Sequence, residues 1–314
     1  MLNEKQYFPE LLNCKICPRN CSSNRYSGKL GFCKSGSDSG VVSVCIHKGE
    51  EPVISGQKGI CNVFFGHCNM QCVYCQNFQI SNNNNNLIFL SFANVIEKII
   101  EIIKSGVNSV GFVSPSHFIP QMKYIINELG NKGFKPIFIY NSNAYDSVVQ
   151  LKSLENYIDI YLPDFKYFDN KLAEKYSDTK NYFELATLAI KEMYRQKGSS
   201  LVINDEGVAE SGLIIRHLVL PDNTENSIKL LEFIAENISR KVSISLMSQY
   251  FPCNKSSYYF EINRKLLKQE YEKVINTLEK LEFNKGWIQN LNSSENYLPN
   301  FIEANPFKKK KLSF

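Results

Sequence analysis

From about Ile60 onward, short apolar runs rich in β-branched residues alternate with longer stretches in which apolar side chains return every three or four positions. That is the pattern of repeated strand–helix units carrying a parallel sheet. Six strands are predicted, over residues 60–66, 109–113, 136–140, 158–162, 213–220 and 242–246. Each is apolar nearly throughout, as expected of strands covered on both faces. The first helix is the best marked: Ser91 can cap it, apolar residues stand at 92, 95, 96, 99, 102 and 103, and Gly106 stops it. Further helices are predicted at about 119–129, 145–155, 182–197, 225–237 and 264–281. Residues 201–212 hold the turn-rich Asn204-Asp205-Glu206-Gly207 and read as a small hairpin or lid-like excursion. The asparagine run at 82–86 reads as a flexible loop insertion.

Such an α/β chain either closes into a full or partial barrel or opens into a doubly wound sheet, and in both the chemistry gathers at the carboxyl ends of the strands. The residues just past the predicted strands are polar: His67 and Cys68, Ser114 and His117, Asn141 and Ser142, Asp164 and Lys166, Ser248 and Gln249. The fifth strand instead carries Arg216 and His217 inside its apolar run. Adjacent strand residues point to opposite faces, so one of the two faces the interior, and a charge there needs a partner.

Composition narrows the class. The 314 residues carry 36 − 31 = +5 formal charges and are 43% hydrophobic and 21% charged, which excludes disorder, collagen and coiled coil. Lys308, Lys309, Lys310 and Lys311 supply four of the five net positive charges, so a nucleic-acid partner is not expected. No membrane span is expected either, because the most apolar helical run, 95–103, is interrupted by Glu97, Lys98 and Glu101. Nine of the ten cysteines fall within the first 75 residues, and only Cys253 lies beyond. The polar start, residues 1–10, does not look like a signal peptide, so metal ligation in a reducing, cytoplasmic setting fits better than a disulfide scaffold.

Cys68, Cys72 and Cys75 lie in one loop immediately after the first strand. Iron–sulfur cubanes are usually held by four thiolates, so a local set of three leaves one iron open to a substrate. A structural zinc site wants four closed ligands, and His67 sits too near Cys68 to be an easy fourth. The stretch Phe64-Phe65-Gly66-His67-Cys68 through Cys75-Gln76-Asn77 resembles the C-x-x-x-C-x-x-C cluster loop of the radical SAM superfamily. The likeness continues through Cys14-Lys15-Ile16-Cys17-Pro18-Arg19-Asn20-Cys21, Gly31-Phe32-Cys33, Gly49-Glu50-Glu51-Pro52, Tyr161-Leu162-Pro163-Asp164-Phe165-Lys166-Tyr167, Glu192-Met193-Tyr194-Arg195-Gln196 and Arg216-His217-Leu218-Val219-Leu220-Pro221. In that order these segments resemble uncharacterised homologues of pyruvate formate-lyase activating enzyme.

The resemblance implies a partial (βα)6 TIM-like barrel and a 4Fe–4S cluster on Cys68, Cys72 and Cys75, with S-adenosylmethionine chelating the fourth iron. It further implies a one-electron donor such as flavodoxin or ferredoxin, and reductive cleavage to a 5′-deoxyadenosyl radical that abstracts hydrogen from a substrate. A glycine of a partner protein is the activase-like substrate; a small molecule is the alternative, and a zinc-ribbon module with an inactive barrel is the reading from a different class. Carried over residue by residue, Tyr74 would lie against the adenine, or simply plug the barrel mouth. Asp164 and Lys166 match the Asp-x-Lys that helps hold the methionine end of the cofactor, or form a surface ion pair. Arg216 would pair with the cofactor carboxylate or with Asp164, or serve as a purely structural salt bridge, leaving His217 to point the other way. Asn141 would be a further cofactor contact. Where activating enzymes have a glycine-rich segment after the second strand, this chain reads Val113-Ser114-Pro115-Ser116-His117. Ser114 and the local backbone are therefore expected to take over that contact, with His117 a cofactor contact, a proton-transfer group or a structural residue.

Cys14, Cys17, Cys21 and Cys33 form a second four-thiolate set outside the barrel units, at spacings that suit zinc or an auxiliary iron–sulfur cluster. Cys61 is expected to pack within the first strand, and Cys45 is an alternative ligand to Cys33. The expected division is a Cys-rich extension over 1–58, the barrel over 59–250, and a helical extension with a basic tail over 251–314.

Overall fold

The computed structural model describes residues 6–291, 298–303 and 305–307. Its strands are β1 (Val41–His47), β2 (Ile60–Phe65), β3 (Ser109–Val113), β4 (Ile137–Ser142), β5 (Ile160–Pro163), β6 (Val202–Ile203), β7 (Ala209–Leu218), β8 (Ser243–Met247) and β9 (Gly286–Ile288). The sheet order is β1-β2-β3-β4-β5-β7-β8-β9, with β6 hairpinned onto β7. From β2 to β9 the neighbours on this path are parallel, and β1 alone is antiparallel to its neighbour. β1 and β9 do not pair, so the barrel is partial and open on that side.

All six predicted strands are present, and residues 201–212 form the expected hairpin. Two strands were not foreseen. β1 lies within the expected Cys-rich extension, and β9 lies within the expected helical one, so the sheet runs across both expected divisions. The basic run 308–311 lies outside the described residues.

Helices cover the outer face. The helix Phe92–Lys104 begins where the Ser91 side chain accepts the Asn94 N–H, and it ends at Gly106, whose φ of 98° suits glycine. It buries Val95, Ile96 and Ile99. The helices Ile119–Asn131, Tyr182–Lys197, Thr224–Asn237 and Lys268–Lys280 fall where predicted; the expected 145–155 helix is reduced to Val148–Lys152, and Asn170–Ser177 is additional. Among the described residues no helix is long and apolar enough to cross a membrane.

Inside the barrel the period-2 alternation of strands builds two layers. Ile60, Ile139, Leu162 and Ile214 close the amino-terminal end as an apolar floor. Two residues further along each strand path stand Asn62, Asn141, Asp164 and Arg216, roughly 7 Å higher at about 3.3 Å per residue. Gly111 of β3 leaves room in this upper layer, since a Cβ there would sit 2.4 Å from Asn62 Oδ1.

Candidate active site

The polar layer is a single network centred on Arg216. Its Nε donates to Asp164 Oδ1 at 2.8 Å, Nη1 to Glu50 Oε2 at 3.0 Å and Nη2 to Asn141 Oδ1 at 2.7 Å. Lys166 Nζ takes the other Asp164 oxygen at 2.8 Å, and Asn62 Nδ2 donates to Glu50 Oε1 at 3.0 Å. Burial alone would raise the Asp164 carboxyl, but the Arg216 and Lys166 charges outweigh it and hold it below its ordinary range. Burial likewise opposes charge on Lys166, and Asp164 more than offsets it, so the ammonium is held above its usual value. Next in sequence to Glu50, Glu51 is buried with Oε2 unpartnered, and burial raises its carboxyl despite the nearby Arg216. His217 points to the other face, as alternation requires: Nδ1 meets Phe165 O at 2.7 Å and Nε2 meets Ser227 Oγ at 2.8 Å.

The three-cysteine loop is held from several directions. Each sulfur faces a donor: Met70 N–H to Cys68 Sγ at 3.4 Å, Ser177 Oγ to Cys72 Sγ at 3.0 Å and Ser81 Oγ to Cys75 Sγ at 3.1 Å. Burial pushes all three thiols above their ordinary value, Cys75 to about 11. The asparagine run is part of this support and corrects the flexible-insertion reading. Asn83 Oδ1 accepts the Cys68 N–H at 2.9 Å while its Nδ2 donates to Cys68 O and Phe32 O, both at 3.0 Å. Asn85 Nδ2 donates to Gln79 O at 2.8 Å, and Asn85 O meets His67 Nε2 at 3.2 Å. Side-chain amides here satisfy backbone groups that secondary structure leaves unpaired, which composition alone does not reveal.

Loop and network share one cavity of about 450 Å³ at the carboxyl ends of the strands. Cys68, Cys72, Cys75, Tyr74, Ser114, Asn141, Asp164, Lys166 and Arg216 all line it. His117 does not, which corrects its expected place as a cofactor contact. It is buried behind the barrel wall, its Nε2 on Gly66 O at 3.2 Å, and it lines a separate small cavity with Cys14, Cys17, Cys21 and Cys33. Burial drives its pKa down to about 3, so the ring is neutral. Tyr74 engages its hydroxyl with Tyr167 at 2.6 Å and packs its ring near Tyr250, 5.8 Å between centroids. Cys45 and Cys61 are buried in core clusters, Cys61 as expected and Cys45 away from the four-cysteine set. Glu50, Glu51 and Asn143 are lining residues that the strand-end reading passed over. Glu50 and Glu51 precede the first predicted strand; the Gly49-Glu50-Glu51-Pro52 motif was their one visible signal.

Comparison with known proteins agrees with this arrangement. The profile of the Radical SAM superfamily matches residues 62–234, more than half of the chain. The chain belongs to the radical SAM superfamily. An uncharacterized protein of Methanocaldococcus jannaschii is 32% identical over 274 residues, 85% of this chain and 75% of that one. Among solved structures, the FeFe-hydrogenase maturase HydG from Carboxydothermus hydrogenoformans superposes with a TM-score of 0.52 at 12% identity, covering 75% of this chain and 55% of HydG. A domain of pyruvate-formate lyase-activating enzyme from Bacteroides vulgatus matches at TM-score 0.39 and 16% identity, over 55% of this chain and 93% of that domain. The chain spans about half the length of the larger solved chains it matches.

As a radical SAM enzyme, the chain is expected by family to use a 4Fe–4S cluster and S-adenosylmethionine. Its residues fit both. Three thiols line one face of a cavity roomy enough for a drug-sized ligand, and each already has a donor that would stabilise a thiolate. Among the described residues no three His, Cys, Asp or Glu side chains stand at mutual ligation distance in this conformation. Opposite the thiols, the Arg216–Asp164–Lys166 network supplies fixed charges for an amino-acid end.

Proposed function

We propose that this chain is a hydrogen-abstracting radical SAM enzyme, with the cluster on Cys68, Cys72 and Cys75 and S-adenosylmethionine across Tyr74, Ser114, Asn141, Asp164, Lys166 and Arg216. The observation that carries this reading is that all nine residues line one cavity. When bound, the cluster and S-adenosylmethionine supply a one-electron cleavage that yields methionine and a 5′-deoxyadenosyl radical. The protein binds, orients and excludes competing reactions. Arg216 and Lys166 are cations fixed before the ligand arrives, so a carboxylate meets them without a large reorganisation. Because its hydroxyl is taken by Tyr167, Tyr74 offers its ring for contact with an adenine. Glu51, whose carboxyl burial raises above its ordinary range, also lines this wall.

For the substrate, a glycine of a partner protein rests on the activase-like motif series, with a flavodoxin or ferredoxin as electron donor. A small-molecule substrate is the second reading, and one observation favours it. Phe307, from the carboxy-terminal segment, lines the cavity and packs against Phe64 and His47, reducing the opening beside β1. The deciding experiment is anaerobic: reconstituted protein, dithionite and S-adenosylmethionine, with 5′-deoxyadenosine as readout. Product that disappears in Cys68→Ala is the expected result. An intact cluster that binds S-adenosylmethionine without cleaving it would overturn the proposal.

A further inference from the structure

We propose that the amino-terminal knuckle is a second metal centre, a single zinc-like divalent ion held by the thiolates of Cys14, Cys17, Cys21 and Cys33. It is separate from the cluster loop and does not depend on the function proposed above. The fold brings all four side chains to one small cavity, although Cys14 and Cys33 lie nineteen residues apart in sequence. Backbone N–H groups turn toward the sulfurs, Phe32 N–H to Cys21 Sγ at 3.4 Å and Arg19 N–H to Cys17. Gly31 permits the close approach: a Cβ there would lie 2.8 Å from both Cβ and Sγ of Cys21.

Charge is the second, independent observation. Arg25 is buried, 3% exposed, and its guanidinium meets carbonyls and a ring: Nε to Gly36 O at 2.8 Å, Nη1 to His117 O at 2.7 Å, and Phe118 at 4.7 Å. Its Nη2 is buried without a partner. Arg19 bonds Asn69 O at 2.8 Å and Asp178 O at 2.5 Å, and its guanidinium stacks 3.5 Å from Phe32. Among the described residues no carboxylate pairs with either arginine, yet both line the four-cysteine cavity. A buried cation without a counter-charge is costly. Four thiolates around a divalent ion carry a net charge of about −2, a counter-charge for the buried Arg25. Binding releases the four thiol protons to solvent.

The knuckle is the tighter of the two sites. The knuckle cavity has room of about 10 Å³, against about 450 Å³ at the barrel mouth. His117 stands at the wall: with Nε2–H donating to Gly66 O, its unpartnered Nδ1 carries a lone pair. Among the described residues no three metal-ligating side chains stand at mutual ligation distance, so binding the ion would draw the four thiols together. The centre would also brace the cluster loop, because Arg19 holds Asn69 O and Phe32 O receives Asn83, which in turn binds the Cys68 N–H.

The test compares three anaerobically purified full-length chains by metal analysis: wild type, Cys68→Ala/Cys72→Ala/Cys75→Ala, and Cys14→Ser/Cys17→Ser. The expected result is about one zinc per chain in the first two and at least a roughly tenfold loss in the third. Zinc-edge X-ray absorption of the cluster-loop variant should show four sulfurs near ~2.3 Å. A nitrogen in that shell would move one ligand to His117 and overturn the four-thiolate assignment. Iron and sulfide in the cluster-loop variant would replace the ion with an auxiliary cluster, and a metal-free knuckle with four reactive thiols would abolish the site. If Cys14→Ser/Cys17→Ser does not fold, the cluster-loop variant decides alone. Loss of reductive cleavage with zinc retained, or the reverse, keeps this proposal apart from the preceding one.

Discussion

Replacing Arg216 with methionine keeps most of the side-chain volume and removes the hub charge of the barrel. The substitution deletes three hydrogen bonds of 2.7–3.0 Å and leaves Glu50 with Asn62 as its donor and Asp164 with Lys166 alone. Breaking a buried ion pair from one side costs about 3–5 kcal/mol. The side chains involved are 11–19% exposed, so the lower end applies, about 3 kcal/mol, or roughly a 6 °C fall in Tm for a chain of this size. The pH dependence follows from Asp164. Its carboxyl is held below its unfolded value, so its contribution is complete above about pH 4 and is lost as pH falls through the folded pKa. The difference between the two chains should therefore be full near neutrality and shrink in acid. Thermal unfolding followed by circular dichroism, with both chains carrying Cys68→Ala/Cys72→Ala/Cys75→Ala so that cluster loss does not intrude, measures it at pH ~7 and pH ~3.5. A fall under about 2 °C at neutrality would refute the network as the source of that stability.

Cys72→Ala should lose the cluster iron while the far-ultraviolet dichroism stays that of the folded barrel, and full iron retention would reassign the ligand. Asp164→Ala should weaken S-adenosylmethionine binding by about tenfold or more with iron content unchanged, since it frees Lys166 and Arg216 from their positions; calorimetry showing unaltered affinity would make Asp164 purely structural. Asn83→Ala removes the acceptor for Cys68 N–H and two amide donations, a loss of about 1–3 kcal/mol localised at the loop. Hydrogen exchange over residues 67–76 should quicken there while β4 and β5 stay protected, and uniform quickening would count against the local role.

Local features of the sequence were sufficient wherever the physics itself is local. Parallel strands covered on both faces must be apolar throughout, which is why β2, β3, β4, β5, β7 and β8 were legible. The Ser91 cap and Gly106 stop act within a turn, and the cluster loop spans eight residues, so both were legible too. β1 is a half-covered edge strand with Ser43 and Cys45 in it, and β9 has three residues, so neither carried a sufficient apolar run. Alternation showed that Arg216 and His217 must diverge, but their neighbours across the sheet determined which faces the cavity. The Arg216–Asp164 contact joins residues 52 apart, and Arg216–Glu50 joins residues 166 apart, through adjacency that no local pattern encodes. For the same reason His117, three residues past the cavity-lining Ser114 and read as a barrel group, is turned by the fold toward the cysteine knuckle. Sequence determines which groups are available and their local geometry; packing across the sheet decides which of them share a low-dielectric space, and there their charges matter most.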